Sequence, residues 1–185
     1  MILVYVNSSN GLSKAALETV TYAKKLGNEV VVLTNGKASS ESLTCLGEYG
    51  ATKVLVDRMV DGEDPQQLTR LISAVLQNIG AKTVIFSHDL IGKAVAPRLS
   101  VRLQAGLIAG AISIPDADGA VKVNVFSGKA IGNVKVSSAI KIISLLPNSI
   151  QPEKTGANCP VEETNGLGGA AAIKVIYTKK PEGEI

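Results

Sequence analysis

Apolar residues in this chain follow two rhythms. Up to residue 105, short solid runs alternate with stretches where apolar side chains recur every three or four positions. Ile2–Val6, Val30–Leu33, Lys53–Val56 and Val84–Phe86 are too brief for helices and rich in β-branched residues. Such runs predict strands buried on both faces of a parallel sheet. The stretches between them predict helices. One starts at a Ser13 cap and runs to about Leu26, with Leu17, Val20 and Ala23 or Lys24 inward and Gly27 as its stop. A shorter one runs from about Ser40 to near Gly50. A third runs from Pro65 to about residue 79 between an Asp64 cap and Gly80. Its Leu68, Leu71, Ile72, Val75 and Leu76 make the strongest amphipathic stripe in the sequence. The fourth has Val95, Ala96, Leu99 and Leu103 on one side and mainly Lys93, Arg98, Arg102 and Gln104 on the other. Because Pro97 lacks an N–H, it fits best in a first turn, which predicts a helix starting near Lys93 or Ala94, or a kink.

Strict strand–helix alternation implies a doubly wound, mainly parallel α/β sheet, and right-handed crossovers give the strand order 3-2-1-4-5. The switch point lies between the first and fourth strands, so a ligand would meet the loops Asn7–Gly11 and Ser87–Gly92. After Gly106 the period changes to short β-like runs, Leu107–Ile114, Val121–Phe126, Asn133–Ser137 and Ile140–Leu146. They predict an antiparallel hairpin extension, closed by Pro147. Residues 148–170 read as an extended linker rich in Asn, Pro, Gly, Glu and Thr, followed by a final strand, Ala172–Thr178, and a charged end. The chain thus divides into an α/β domain over 1–150 and a linker with a last strand over 151–185.

Composition removes several function classes. The 185 residues are 45% hydrophobic and 19% charged, ordinary for a globular domain. A net charge of +3 and an aromatic content of 3%, without Trp, give no footprint for nucleic acid. Cys45 and Cys159 have no CxxC companion and read as two unrelated thiols. His88 is the only histidine, which excludes His-rich metal ligation. The amino terminus lacks a charged signal-peptide region, and no run reaches the ~18 apolar residues of a membrane span. A soluble, cytoplasmic protein is expected.

Candidate chemistry is sparse. Gly128-Lys129 is not a Walker A motif, and no GxGxxG follows the first strand. Ser8 and Ser9 suit a phosphate as well as plain turn chemistry. His88 beside Asp89 suits a general base as well as a turn histidine with an ordinary partner. Lys93, Arg98 and Arg102 suit an anion, a protein partner or a solvated face. No catalytic, cofactor-binding or metal-ligating residue is assigned.

One resemblance adds to this. Gly92-Lys93-Ala94-Val95-Ala96-Pro97-Arg98-Leu99-Ser100-Val101-Arg102-Leu103, followed about thirty residues on by Phe126-Ser127-Gly128-Lys129-Ala130, resembles the amino-terminal domain of the electron transfer flavoprotein α subunit. The opening strand, Leu12–Lys14 and Pro160-Val161-Glu162-Glu163 fit as well. The resemblance implies one subunit of a heterodimeric electron carrier that takes electrons from dehydrogenases to an acceptor, and no enzyme activity of its own. It implies FAD held by a carboxyl-terminal domain beyond Ile185, AMP in the partner β subunit, and a platform role for this domain. Gly92, Lys93, Arg98, Gly128 and Lys129 become interface or structural candidates. The sheet also resembles the adenine nucleotide α-hydrolase-like arrangement, so a free-standing adenine-nucleotide sensor is the alternative. An enzyme built on His88 and Asp89 is a third reading.

Overall fold

In a computed structural model, residues 1–9, 11–27, 29–60, 64–177 and 179 are described. Strand β1 (Ile2–Asn7) is followed by α1 (Lys14–Leu26), β2 (Val30–Asn35), α2 (Ser40–Thr44) and a 3-10 turn at Cys45–Tyr49. Then come β3 (Lys53–Asp57), α3 (Pro65–Ile79), β4 (Thr83–Ser87), α4 (Leu90–Leu103) and β5 (Gly106–Ala111). The remaining strands are β6 (Val121–Val125), β7 (Ala130–Val134), β8 (Lys141–Leu145) and β9 (Val161–Glu163).

The strands form one sheet in the order β7-β6-β5-β8-β4-β1-β2-β3-β9, parallel except for the pairs β5–β6 and β6–β7. The doubly wound fold and the 3-2-1-4 core agree with the sequence reading. The place beside β4 expected for the fifth strand, however, belongs to β8. Burial accounts for this: Ile142 through Leu145 are all buried in β8, whereas β5 carries two glycines and an exposed Ala109. A strand covered on both faces suits a central position. The hairpin is β6–β7, and its second strand begins at Ala130 rather than Asn133.

Alternation along β1 divides the core. Ile2, Val4 and Val6 join α1 and Leu43 on one face, and Leu3 and Tyr5 join α3 and α4 on the other. The five residues of the α3 stripe are each at most 2% exposed. Asp64 caps α3 and Gly80 ends it at φ 68°.

Helix α4 departs from the expected start near Lys93 or Ala94. It begins at Leu90, capped by Asp89, whose Oδ1 accepts the Gly92 N–H at 2.9 Å. Pro97 therefore lies in the helix interior, a placement that costs about 3 kcal/mol. The cap and the burial of Val95, Ala96 and Leu99 outweigh it. Arg98 Nη1 adds a bond to the Ala94 carbonyl at 2.9 Å.

The expected linker is largely irregular but fastened to the body. The Asn148 N–H reaches Glu18 Oε2 (2.9 Å), and the Glu153 N–H reaches Thr21 Oγ1 (3.2 Å). Thr155 N–H donates to the Glu48 carbonyl at 2.7 Å. At Gly47 a Cβ would lie 2.3 Å from the Ala157 carbonyl oxygen, so only glycine admits the crossing chain. The segment then joins the sheet as β9, parallel to β3, and covers what would be an open edge. Ion pairs Lys53–Glu162 (3.1 Å) and Arg58–Glu163 (3.4 Å) flank it. The last expected strand is corrected: residues 172–177 form none, and Thr178 and the charged end 180–185 lie outside the described residues.

Candidate functional site

The fold directs attention to the carboxyl ends of β1 and β4. Of the two loops there, Asn10 lies outside the described residues. Four side chains satisfy one another beneath the first loop. The Tyr5 hydroxyl donates to Asn35 Oδ1 at 2.6 Å, and Asn35 Nδ2 donates to the Val60 carbonyl at 3.3 Å. Ser8 Oγ donates to the Asn35 carbonyl at 2.7 Å and accepts from Thr34 Oγ1 at 2.8 Å. Burial, with help from the Asp89 charge, holds the Tyr5 phenol far above its ordinary range, so it remains a neutral donor. Ser8 is 1% exposed and its hydroxyl is engaged inward. Ser9 is exposed, and its N–H turns to Asn7 Oδ1 at 2.9 Å.

The second loop closes the crevice. A Cβ on Gly92 would stand 1.9 Å from the Ser87 carbonyl oxygen, so glycine lets the head of α4 rest directly on the end of β4. What remains is a cavity of about 30 Å³, lined by Tyr5, Asn7, Ser13, Thr19, Ser87 and Gly92 among others. The buried Ser87 hydroxyl has no hydrogen-bond partner among the described residues. A space of that size suits one or two waters, whereas small-molecule pockets run to roughly 300–1,000 Å³.

His88 stands beside this crevice. Its Nδ1 lies 2.9 Å from Ser144 Oγ, which also accepts the Gly110 N–H at 3.2 Å. Gly110 (φ 74°) is the extra residue where β5 slips register against β8, between Ala109 and Ala111. Burial, reinforced by the Lys93 charge and opposed by Asp89, moves the imidazole below its ordinary pKa, so it is neutral at pH 7. Its partner is a hydroxyl, and the Asp89 carboxylate is turned to the start of α4. This geometry is that of a fixed turn histidine rather than a paired general base.

The two sequence motifs fall on separate parts of the sheet. Lys93 and Arg98 are exposed on α4, and the Lys93 ammonium has no hydrogen bond or ion pair among the described residues. Gly128 and Lys129 lie in the β6–β7 turn, where Gly128 N–H bonds the Val125 carbonyl at 3.1 Å and Lys129 N–H the Phe126 carbonyl at 3.2 Å. Phe126, Ser127 and Gly128 have φ of 51°, 56° and 85° in succession. Phe126 is 80% exposed and Ile131 61%. Strand β6 is three places from β4, about 14 Å at ordinary strand spacing, so the motifs do not form one cluster. Sequence reasoning missed Ser144 and Gly110; an isolated glycine inside a strand run was the available signal for the latter.

Among the described residues no helix is long and apolar enough to cross a membrane, and no group of three or more His, Cys, Asp or Glu side chains could hold a metal ion. A family model described as electron transfer flavoprotein domain matches residues 2–166. The chain is similar to electron transfer flavoprotein subunit alpha of Bacillus subtilis, 30% identical over 159 residues, covering 81% of this chain and 45% of that protein. It is 26% identical over 164 residues to a probable mitochondrial electron transfer flavoprotein subunit alpha of Caenorhabditis elegans, covering 87% of this chain and 49% of that one. The Syntrophomonas wolfei subunit alpha is 26% identical over 180 residues, 95% of this chain and 54% of that protein. The chain spans about half the length of these curated relatives.

Proposed function

We infer, from the premise that this chain belongs to the electron transfer flavoprotein domain family, that it is the amino-terminal domain of the α subunit of a heterodimeric flavin electron carrier. In this reading it carries no chemistry of its own. FAD belongs to a following domain, and AMP to the β subunit for which this domain is the platform. Dehydrogenases supply the electrons and a separate acceptor receives them. The observation that carries the platform role is the closed switch point: about 30 Å³ remains where such sheets usually hold a ligand. Exposed groups lie instead on α4, where the Lys93 ammonium has no partner among the described residues, and on the β6–β7 hairpin. Lys93 and Arg98 offer positive charge to a partner surface. Gly128 lets the hairpin turn form and Lys129 supplies a contact beside it.

Calorimetry of this chain against the β subunit from the same genome tests the proposal. A one-to-one complex is expected, weakened at least about tenfold by the double change Lys93→Ala and Arg98→Ala. Both residues are exposed, so folding stability should shift by less than about 0.5 kcal/mol. Unchanged pairing in the variant would remove these residues from the interface. Binding of AMP or ATP by this chain alone, with no complex formed, would favour the nucleotide-sensor alternative.

A further inference from the structure

The head of α3 grips the chain that follows β9. Asp64 is 1% exposed, and its two carboxylate oxygens do different things. Oδ1 accepts the N–H groups of Gln66 (2.9 Å) and Gln67 (3.1 Å) and so caps the helix. Oδ2 accepts those of Ala172 (2.5 Å) and Ile173 (3.3 Å), more than one hundred positions along the chain. Gln67 Nε2 donates to the Gly169 carbonyl at 2.8 Å. Arg70 spreads its guanidinium over two carbonyls, Nε to Gly168 (2.8 Å) and Nη2 to Ala170 (2.5 Å). Gly168 is buried where a Cβ would come within 2.6 Å of Val60 Cγ2, and Leu167 packs against the core on this face.

We propose that Asp64, Gln67 and Arg70 form a latch that fixes where the chain leaves this domain. Each bond engages the backbone of residues 168–173, so the grip reads the path of the strap rather than its side chains. A planar guanidinium suits this, because its fork can hold two carbonyls in one geometry where an ammonium would hold one. The carboxylate suits it because a charged acceptor at a helix amino terminus can serve the cap and the strap together. At the end of the latch the Ile173 side chain is 47% exposed, and beyond it Val175 (41%), Ile176 (88%) and Tyr177 (80%) stand in solvent. The latch therefore presents an apolar segment at one defined place, the head of α3. It stands without the electron-carrier reading; if that reading holds as well, the latch sets the starting point of the next domain.

Hydrogen–deuterium exchange read by mass spectrometry on the 185-residue chain tests this. In the wild type, the Ala172 and Ile173 amides should exchange at least about tenfold slower than an unprotected peptide. Asp64→Asn keeps one oxygen for the cap but puts an NH₂ where the second acceptor stood. It should return both amides to within about twofold of the unprotected rate, while α3 keeps its protection. No protection in the wild type, or full protection in Asp64→Asn, overturns the latch. Should Asp64→Asn also expose α3, Arg70→Lys decides, since it leaves the cap untouched. Faster exchange at 172–173 with α3 protected supports the latch, and unchanged exchange overturns it.

Discussion

The crevice between β1 and β4 and the hairpin β6–β7 are opposite solutions at two places in one sheet. In the crevice polar side chains serve the fold itself: Tyr5 bonds to Asn35, Ser8 to Asn35 and Thr34, and Asp89 to the start of α4. The hairpin does the reverse. It exposes Phe126 and Ile131 and holds two non-glycine residues at positive φ to do so. The difference teaches that topology locates a possible site without deciding whether it is used. The rule that parallel sheets bind ligands at the switch point directs attention to the loops that border this crevice. The close contact that Gly92 allows, and the inward bonds of Tyr5 and Ser8, then leave a cavity of about 30 Å³ there. Side chains available to a partner lie elsewhere, on α4 and at the sheet's far edge.

The sharpest way to break the comparison is Gly92→Ala. In an open helix this change should stabilise by about 0.5–1 kcal/mol, because alanine is the better helix former. Here its Cβ would meet the Ser87 carbonyl at 1.9 Å, a backbone atom that cannot rotate away. A loss of about 3 kcal/mol is expected, or about 6–12 °C in melting temperature for a chain of this size. Urea denaturation would measure it. A gain in stability would show that α4 does not rest on β4 and that the crevice is open.

The hairpin should respond with the opposite sign. Ser127 sits at φ 56°, where a residue with a Cβ is strained by roughly 1 kcal/mol and glycine is not. The greater freedom of glycine in the unfolded chain offsets part of that relief. Ser127→Gly should therefore raise stability by about 0.5 kcal/mol, visible as a higher urea midpoint with an unchanged slope. A loss of similar size would mean that the turn is held by the serine side chain and that the contrast with the crevice is overdrawn.

How far the sequence reaches is clear from particular residues. Asp64-Pro65 and Gly80 bracket α3 because local capping chemistry decides both ends. At α4 Pro97 alone points to a start near Lys93 or Ala94, whereas the Asp89 cap and tertiary burial carry the helix from Leu90. The position of β8 beside β4 was not legible, since two runs of similar length compete for one slot and only burial on both faces separates them. In the site, the loops were legible from topology, but the engagement of Ser8 depends on Thr34 and Asn35, which come from another strand. The latch was hidden for the same reason: Asp64 announces a cap locally, and its second oxygen serves residues far along the chain.

The smallest expected effect lies at the boundary between the two regions and concerns His88. Its imidazole joins the end of β4 to the β5 bulge through Ser144, and burial lowers its pKa below the ordinary 6.5. A lowered value in the folded state means that the unfolded chain takes up the proton first as pH falls. The stability His88 contributes is therefore complete above pH 6.5 and diminishes as pH drops through that value toward the folded one. No second histidine titrates in this window, and ordinary carboxyl groups titrate lower. A small decline in urea midpoint from pH 7 to pH 5.5 is expected in the wild type and should be absent in His88→Gln. A midpoint that stays flat in both would mean that the ring is as solvated as in the unfolded chain. The crevice would then end at Ser87, with no rigid link toward the hairpin side of the sheet.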